Sequence, residues 1–144
     1  MNLLFFHRFN YNITTEITKK ISSFFDVYIH IDKKASYDET IIEQIKDLGC
    51  IIIQEYSINW GAFNHLKAII SLLRIASEKE YSYYHIISGE DYPVKPFSFF
   101  LDFFSNNDRI YISINRAKDT IWEERYRYYY IYNSISNNHT TNYF

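Results

Sequence analysis

The chain has 144 residues, a size that fits one domain or part of a larger one, and 47% of them are hydrophobic and 20% aromatic. That is enough to build a core and excludes a chain disordered throughout. A formal charge of −2 lacks the electrostatic footprint of a nucleic-acid binder, and the single cysteine, Cys50, excludes an internal disulfide and a cysteine metal cluster.

Cys50 opens an apolar run and reads as a buried, inert thiol. The leading MNLLFFHRFN is too short and turns polar too soon for a secretory leader. No apolar stretch approaches the ~18 residues of a membrane span. The expectation is a cytoplasmic protein, at most peripheral to the inner face of the membrane.

In chain order, NLLFF (2–6) predicts a buried strand. Ile13, Ile17 and Ile21 recur at helical spacing, with Asn12 or Thr14 as the cap. VYIHI (27–31) is β-branched and aromatic, a second strand. SYDE (36–39) matches a capping box, and the helix it opens carries Ile41, Ile42, Ile45 and Leu48 on one face and ends at Gly49. CIIIQ (50–54) is a third strand. NWGAFN (59–64) leads into a helix to Ala76, with Leu66, Ile69, Ile70 and Leu73 as its core stripe. YYHII (83–87) is a fourth strand; Phe97, Phe100, Leu101 and Phe104 mark a short helix; RIYISI (109–114) alternates like a fifth strand.

This order predicts an α/β fold with a mostly parallel sheet covered on both faces. Ligands of such sheets bind beyond the carboxyl ends of the strands. The polar residues expected to gather there are His7, Asp32, the Glu90–Asp91 pair and Asn115. The tail from Ile121 is crowded with tyrosine and arginine, then drifts into Asn, Ser and Thr. It shows no closing helix or strand, so the expectation is a fold incomplete at its C-terminus.

Asp32 follows the second strand. It can accept hydrogen bonds from a nucleotide, as acidic residues at this place do in nucleotide-binding α/β domains, or it can close an Asx turn; the spacing leaves both open. His30, between Ile29 and Ile31, reads as a satisfied strand histidine. Trp60 beside Gly61 can stack on a base or sugar, but the residues by themselves favour a core anchor at a turn. For Glu90 and Asp91, a glycosidase pair needs carboxyls roughly 5–9 Å apart on opposite sides of a substrate, and a metal needs more oxygen ligands. A turn whose carboxylates cap the next helix leads, with Pro93 and Pro96 favouring it. No P-loop, G-x-G-x-x-G, G-x-S-x-G or Asp-x-Asp occurs. Lys33–Lys34 and the Arg125/Arg127 region are small basic patches that suit a diphosphate or simply a solvated face.

VYIHIDKK, INWGAFNHLKAIISLL and YYHIISGEDYPVKP, in that order and spacing, resemble glycosyltransferase family 14, the core-2/I-branching β-1,6-N-acetylglucosaminyltransferases and peptide O-xylosyltransferases with their bacterial relatives. The matching boxes are Phe6–His7, the His-x-Asp-Lys of 30–33, Trp60–Gly61 and the Ser-Gly-x-Asp-Tyr-Pro of 88–93. The resemblance covers about residues 2–115 and implies a Rossmann-like, GT-A-type domain. It implies inverting transfer from a UDP-sugar to a glycan or other hydroxyl acceptor, without a metal or other cofactor. Carried over residue by residue, it places Asp32 on the uridine moiety and Phe5, Phe6 and His7 along the nucleotide pocket. It places Trp60 and Gly61 near the donor, and Asp91 as the group that holds its loop and meets a sugar hydroxyl. Ala62 stands where a second glycine is common.

The family's catalytic glutamate and diphosphate-binding basic residues are expected beyond Phe144, the last residue of the sequence, and Glu123 and Glu124 precede that region. The resemblance therefore implies no catalytic residue among residues 1–144. It divides the chain into a nucleotide-sugar part (1–115) and the start of an acceptor side (116–144). It further implies that the chain alone binds a UDP-sugar weakly, turns over little, and associates with a missing C-terminal half. The alternatives are a non-catalytic nucleotide-sugar-binding module and a structural α/β domain whose boxes are only turns.

Overall fold

The structure, a computed structural model, describes residues 2–7, 11–59, 62–89, 91–105 and 108–114 together with 116, 118, 120 and 123, and describes side chains from residue 16 on. Four strands alternate with four helices: β1 (Asn2–His7), α1 (Tyr11–Ser22), β2 (Asp26–Ile31), α2 (Glu39–Asp47), β3 (Ile51–Ile53), α3 (Phe63–Ala76), β4 (Tyr84–Ser88) and α4 (Phe97–Ser105). The strands form one sheet in the order β3-β2-β1-β4, and every pairing is parallel.

Period-two patterning in β2 builds two cores. Val27, Ile29 and Ile31 point to one face, where Ile17 and Ile21 of α1, Ile42 and Ile45 of α2, Phe25 and Cys50 close over them. Burying each such aliphatic side chain contributes about 1.5–3 kcal/mol. Burial pushes the Cys50 thiol up to about 11, so it stays protonated, as its place in the sequence predicts. On the other face Tyr28 meets Ala68, Leu72 and Ala76 of α3. Helices thus cover both faces, as parallel strands require.

Several local expectations are corrected. Asn12 and Thr14 lie inside α1, which starts at Tyr11, so neither caps it. The cap of α2 is Asp38 rather than Ser36: its extended backbone lets the carboxylate accept the N–H of Thr40 at 2.8 Å. Of the expected α3 stripe, Ile69 and Leu73 pack against the core, but its buried centre lies elsewhere. Leu66 and Ile70 are 47% and 44% exposed, whereas Ala68, Leu72 and Ala76 are buried. Alanines two turns apart, on either side of Leu72, let the helix axis approach the sheet closely, which bulkier residues there would prevent. The expected fifth strand is absent: residues 109–114 pair with no strand among the described residues, and Ile110, Ile112 and Ile114 are 89%, 72% and 80% exposed. Tyr111 of that segment packs against Phe103 and Phe104. Among the described residues no helix is long and apolar enough to cross a membrane.

Gly49 ends α2 as expected, at φ +81°, donating to the Lys46 carbonyl at 2.8 Å. A Cβ there would meet nothing within 4 Å, so the constraint is purely the backbone. Gly49→Ala is expected to cost about 1–2 kcal/mol, seen as a lower urea midpoint with an unchanged slope. An unshifted midpoint would show that the turn relaxes.

Candidate functional site

The strand order contains a reversal. The chain steps from β1 outward through β2 to β3, then crosses back to place β4 on the free side of β1. Right-handed crossovers in opposite directions put α1 and α2 on one face and α3 on the other. The chain leaving β4 leads into α4, which packs on the same face as α1, so the exits of β1 and β4 run to one side of the sheet, and the carboxyl edge they share is where open α/β sheets take ligands.

Three expected site elements share that edge. Phe6 pairs with His30 on one side and Ser88 on the other, and His7 pairs with Ile31. His7 thus ends β1 between Asp32, one residue past β2, and the turn past β4. With strands about 4.8 Å apart, the two flanking elements stand roughly 10 Å from each other, a span suited to an elongated ligand across β1. Phe5, one step inside, pairs with Ile29 and Ile87. Trp60, Gly61, Glu90 and Asn115 lie outside the described residues. So does Phe144.

Asp32 is only 9% exposed. Its Oδ1 accepts two backbone N–H groups, from Lys34 at 2.9 Å and from Ile58 at 3.1 Å. The first bond is the Asx turn; the second ties the β2 exit to the loop between β3 and α3. More bonds tie the same two loops together. Lys33 N–H donates to the Tyr56 carbonyl at 3.0 Å, while within the β2 exit Ala35 N–H donates to the Asp32 carbonyl at 2.9 Å. Lys34 Nζ donates to Asn59 Oδ1 at 2.6 Å. Gln54, held by the Tyr37 hydroxyl at 2.8 Å, donates to the Asp32 carbonyl at 3.4 Å. His30 Nε2 accepts the N–H of Tyr56 at 3.1 Å, which satisfies one ring nitrogen of the histidine that the sequence predicts inside the strand. The result is a two-loop clasp built around one carboxylate, whose Oδ2 has no hydrogen-bond partner among the described residues.

Past β4, at the same carboxyl edge, Asp91 closes its own turn. Its N–H donates to the Ser88 carbonyl at 3.2 Å, and its Oδ2 accepts the Ser88 N–H at 2.6 Å. Asp91 thus caps the end of β4 rather than α4, whose helix begins beyond Pro96. Tyr92, one residue on, receives Lys20 Nζ at 3.1 Å on its hydroxyl. Among the described residues no group of three or more His, Cys, Asp or Glu side chains could hold a metal ion.

Sequence reasoning missed Tyr56, Ile58 and Asn59. Their contributions are backbone N–H groups and one amide in a stretch that reads as a polar connection. The available signal was position: the stretch leaves the carboxyl end of β3, the same edge as Asp32.

No curated protein and no solved structure matches the chain. A family does: residues 12–143 match the one described as "Branch: Core-2/I-Branching enzyme". The match runs from α1 through the loops past β2 and β4 and on through the tyrosine-rich tail, past residue 115. A parallel sheet with its carboxyl-edge clasp and a match over nearly the whole length agree, and the chain belongs to the core-2/I-branching enzyme family, which is a family of glycosyltransferases.

Proposed function

We propose that the carboxyl edge of the sheet beside Asp32 binds the nucleotide of a UDP-sugar, and that the protein transfers an N-acetylglucosamine- or xylose-type sugar with inversion to a hydroxyl of a glycan or other acceptor. The observation that carries this reading is Asp32: a nearly buried carboxylate at the carboxyl edge, fixed by two N–H bonds on one oxygen and open on the other. A carboxylate so held is an acceptor for the N–H of a base or the hydroxyls of a ribose. Family membership supplies the reaction class.

The roles of the other residues follow. Asp91 holds the turn past β4, where the sugar end of the donor would lie. Phe5, Phe6 and His7, the last residues of β1, are assigned to the nucleotide pocket, and Trp60 and Gly61 to the donor side, by the family resemblance. The leaving diphosphate needs positive charge. Lys34 is bound to a neutral amide, Asn59, so its ammonium charge remains available. No metal enters the proposed step, and residues 1–115 carry the donor while 116–144 begin the acceptor side.

The test is thermal unfolding of the 144-residue chain with UDP. At about ten times its Kd, UDP should stabilise by about 1.4 kcal/mol, a Tm rise of roughly 4 °C at this size. Adenosine diphosphate should give much less. Absence of any UDP-dependent shift would refute the reading. A shift without sugar transfer from any UDP-sugar would favour a binding module without chemistry.

A further inference from the structure

His30 is 0% exposed, yet nothing in a hydrophobic interior calls for an imidazole. Alternation along β2 turns it to the face shared with Tyr28 and α3. There its ring stacks on Tyr56, with centroids 6.0 Å apart and planes 19° off parallel. Its Nε2 accepts the Tyr56 N–H at 3.1 Å. Two residues further, the Ile58 N–H reaches Asp32 Oδ1 at 3.1 Å. His30 is therefore joined to the Asp32 carboxylate twice, along the strand and across the 56–58 loop.

We propose that His30 is a positioning residue for the donor pocket: as a neutral imidazole it pins Tyr56, and through the 56–58 loop it holds the Asp32 carboxylate in its binding orientation. This rests on the reading of Asp32 as the ligand carboxylate. An aliphatic residue would fill the same space but leave the Tyr56 N–H without its acceptor, and the loop would be free to drift from Asp32.

The arrangement has a protonation requirement. Nε2 accepts, so the proton of the neutral ring sits on Nδ1. An imidazolium carries hydrogens on both nitrogens and accepts nothing. Burial holds His30 below the ordinary histidine value, while the carboxylates of Asp32 on its own strand exit and Glu55 on the opposing loop pull it back up. The depressed value keeps the ring neutral at pH 7, and the clasp opens as pH falls.

The test uses the whole 144-residue chain, UDP as probe and calorimetric titration at pH 7.5 and 5.5, with His30→Leu and His30→Gln. Leucine removes the acceptor; glutamine offers an amide oxygen in its place. H30L is expected to weaken UDP about tenfold or more at pH 7.5, with faster amide exchange at Tyr56 and Ile58. H30Q should restore most of the affinity. The weakening of wild-type binding between pH 7.5 and 5.5 should be flatter in H30Q, because the other histidines are common to both chains. A merely structural role would lower Tm in H30L and leave the UDP Kd and its pH profile unchanged, which overturns the proposal. If H30L does not fold, H30Q decides alone: a wild-type pH slope overturns it. If wild type itself shows no UDP binding, the donor-site reading falls and takes this inference with it. If wild type binds, Asp32→Ala does not, and H30L binds normally, only the role of His30 falls.

Discussion

Asp32→Ala is expected to remove UDP binding and about 2 kcal/mol of stability together, whereas Asp32→Asn removes the first and keeps most of the second. Oδ1 accepts the N–H groups of both Lys34 and Ile58. Hydrogen bonds to a charged group contribute roughly 1.5–3 kcal/mol each, and a donor left unmet in a buried place costs about 1–3 kcal/mol. Both N–H groups are only partly buried, so water replaces some of what is lost, and the lower end applies. Asparagine presents an amide oxygen at the same position, so the two-loop clasp survives. Its Nδ2, however, is a donor where Oδ2 was an acceptor. A uracil N–H or a ribose hydroxyl donating to that oxygen would then meet a second donor. UDP affinity in D32N should fall at least about tenfold, or 1.4 kcal/mol, with a urea midpoint near wild type. The two variants therefore separate the carboxylate as a loop builder from the carboxylate as a ligand. UDP binding by D32N at wild-type strength would show that Asp32 only builds the loop.

The same residue shows what a sequence can and cannot display. A carboxylate just past a β-branched run is visible, and the β-α alternation places it at a carboxyl edge. Its partner is not visible, because Ile58 contributes a backbone N–H that no side-chain pattern reports. The side on which β4 joins the sheet is equally hidden. Alternation of strands and helices predicts parallel pairing, but the reversal that places β4 beside β1 depends on where a crossover lands. The α3 stripe shows a second limit. Hydrophobicity gives this helix two apolar arcs, one through Leu66 and Ile70 and one through Leu72 and Ile75. The sheet selects the arc that includes Ala68 and Ala76, because contact distance rather than apolarity decides. Residues 109–114 show a third. Their alternation is a strand pattern, but a strand exists only with a partner, and this segment has none among the described residues. The families of contacts that were legible are those set by one periodicity within one element: Val27, Ile29 and Ile31 in β2, and Phe97, Phe100 and Leu101 in α4.

Lowering pH from 6.5 to 4 is expected to destabilise the chain by about 2 kcal/mol through His85 alone, and His85→Leu should abolish that share. His85, in β4, sits among rings: Phe104 at 4.5 Å, Phe100 at 4.6 Å, Tyr83 at 6.0 Å and Phe25 at 6.4 Å between centroids. Its Nε2 is buried without a hydrogen-bond partner among the described residues. Burial lowers its pKa from 6.5 to about 4. Between these values the unfolded chain binds a proton that the folded chain refuses, so stability is whole above pH 6.5 and is lost as pH falls toward 4. A shift of that size corresponds to about 3 kcal/mol at pH 4 before solvent screening of the half-buried ring is counted. Solvent reaching the partly exposed ring offsets on the order of 1 kcal/mol of this, which reduces the expected loss to about 2 kcal/mol. Leucine has nearly the volume of histidine and no polar atom to strand, so at pH 7.5 H85L should lie within about 1 kcal/mol of wild type. The difference between the two urea-derived stability curves, measured from pH 7.5 to 4, isolates His85 from every other group that titrates. It should grow steadily below pH 6.5, in favour of the variant. Parallel curves would mean that the folded state accepts the proton as readily as the unfolded chain, and that the aromatic cage opens to water on the time scale of titration. The packing of α4 on β4 runs through these same rings, so an opened cage would loosen the strand that carries the Ser88–Asp91 turn.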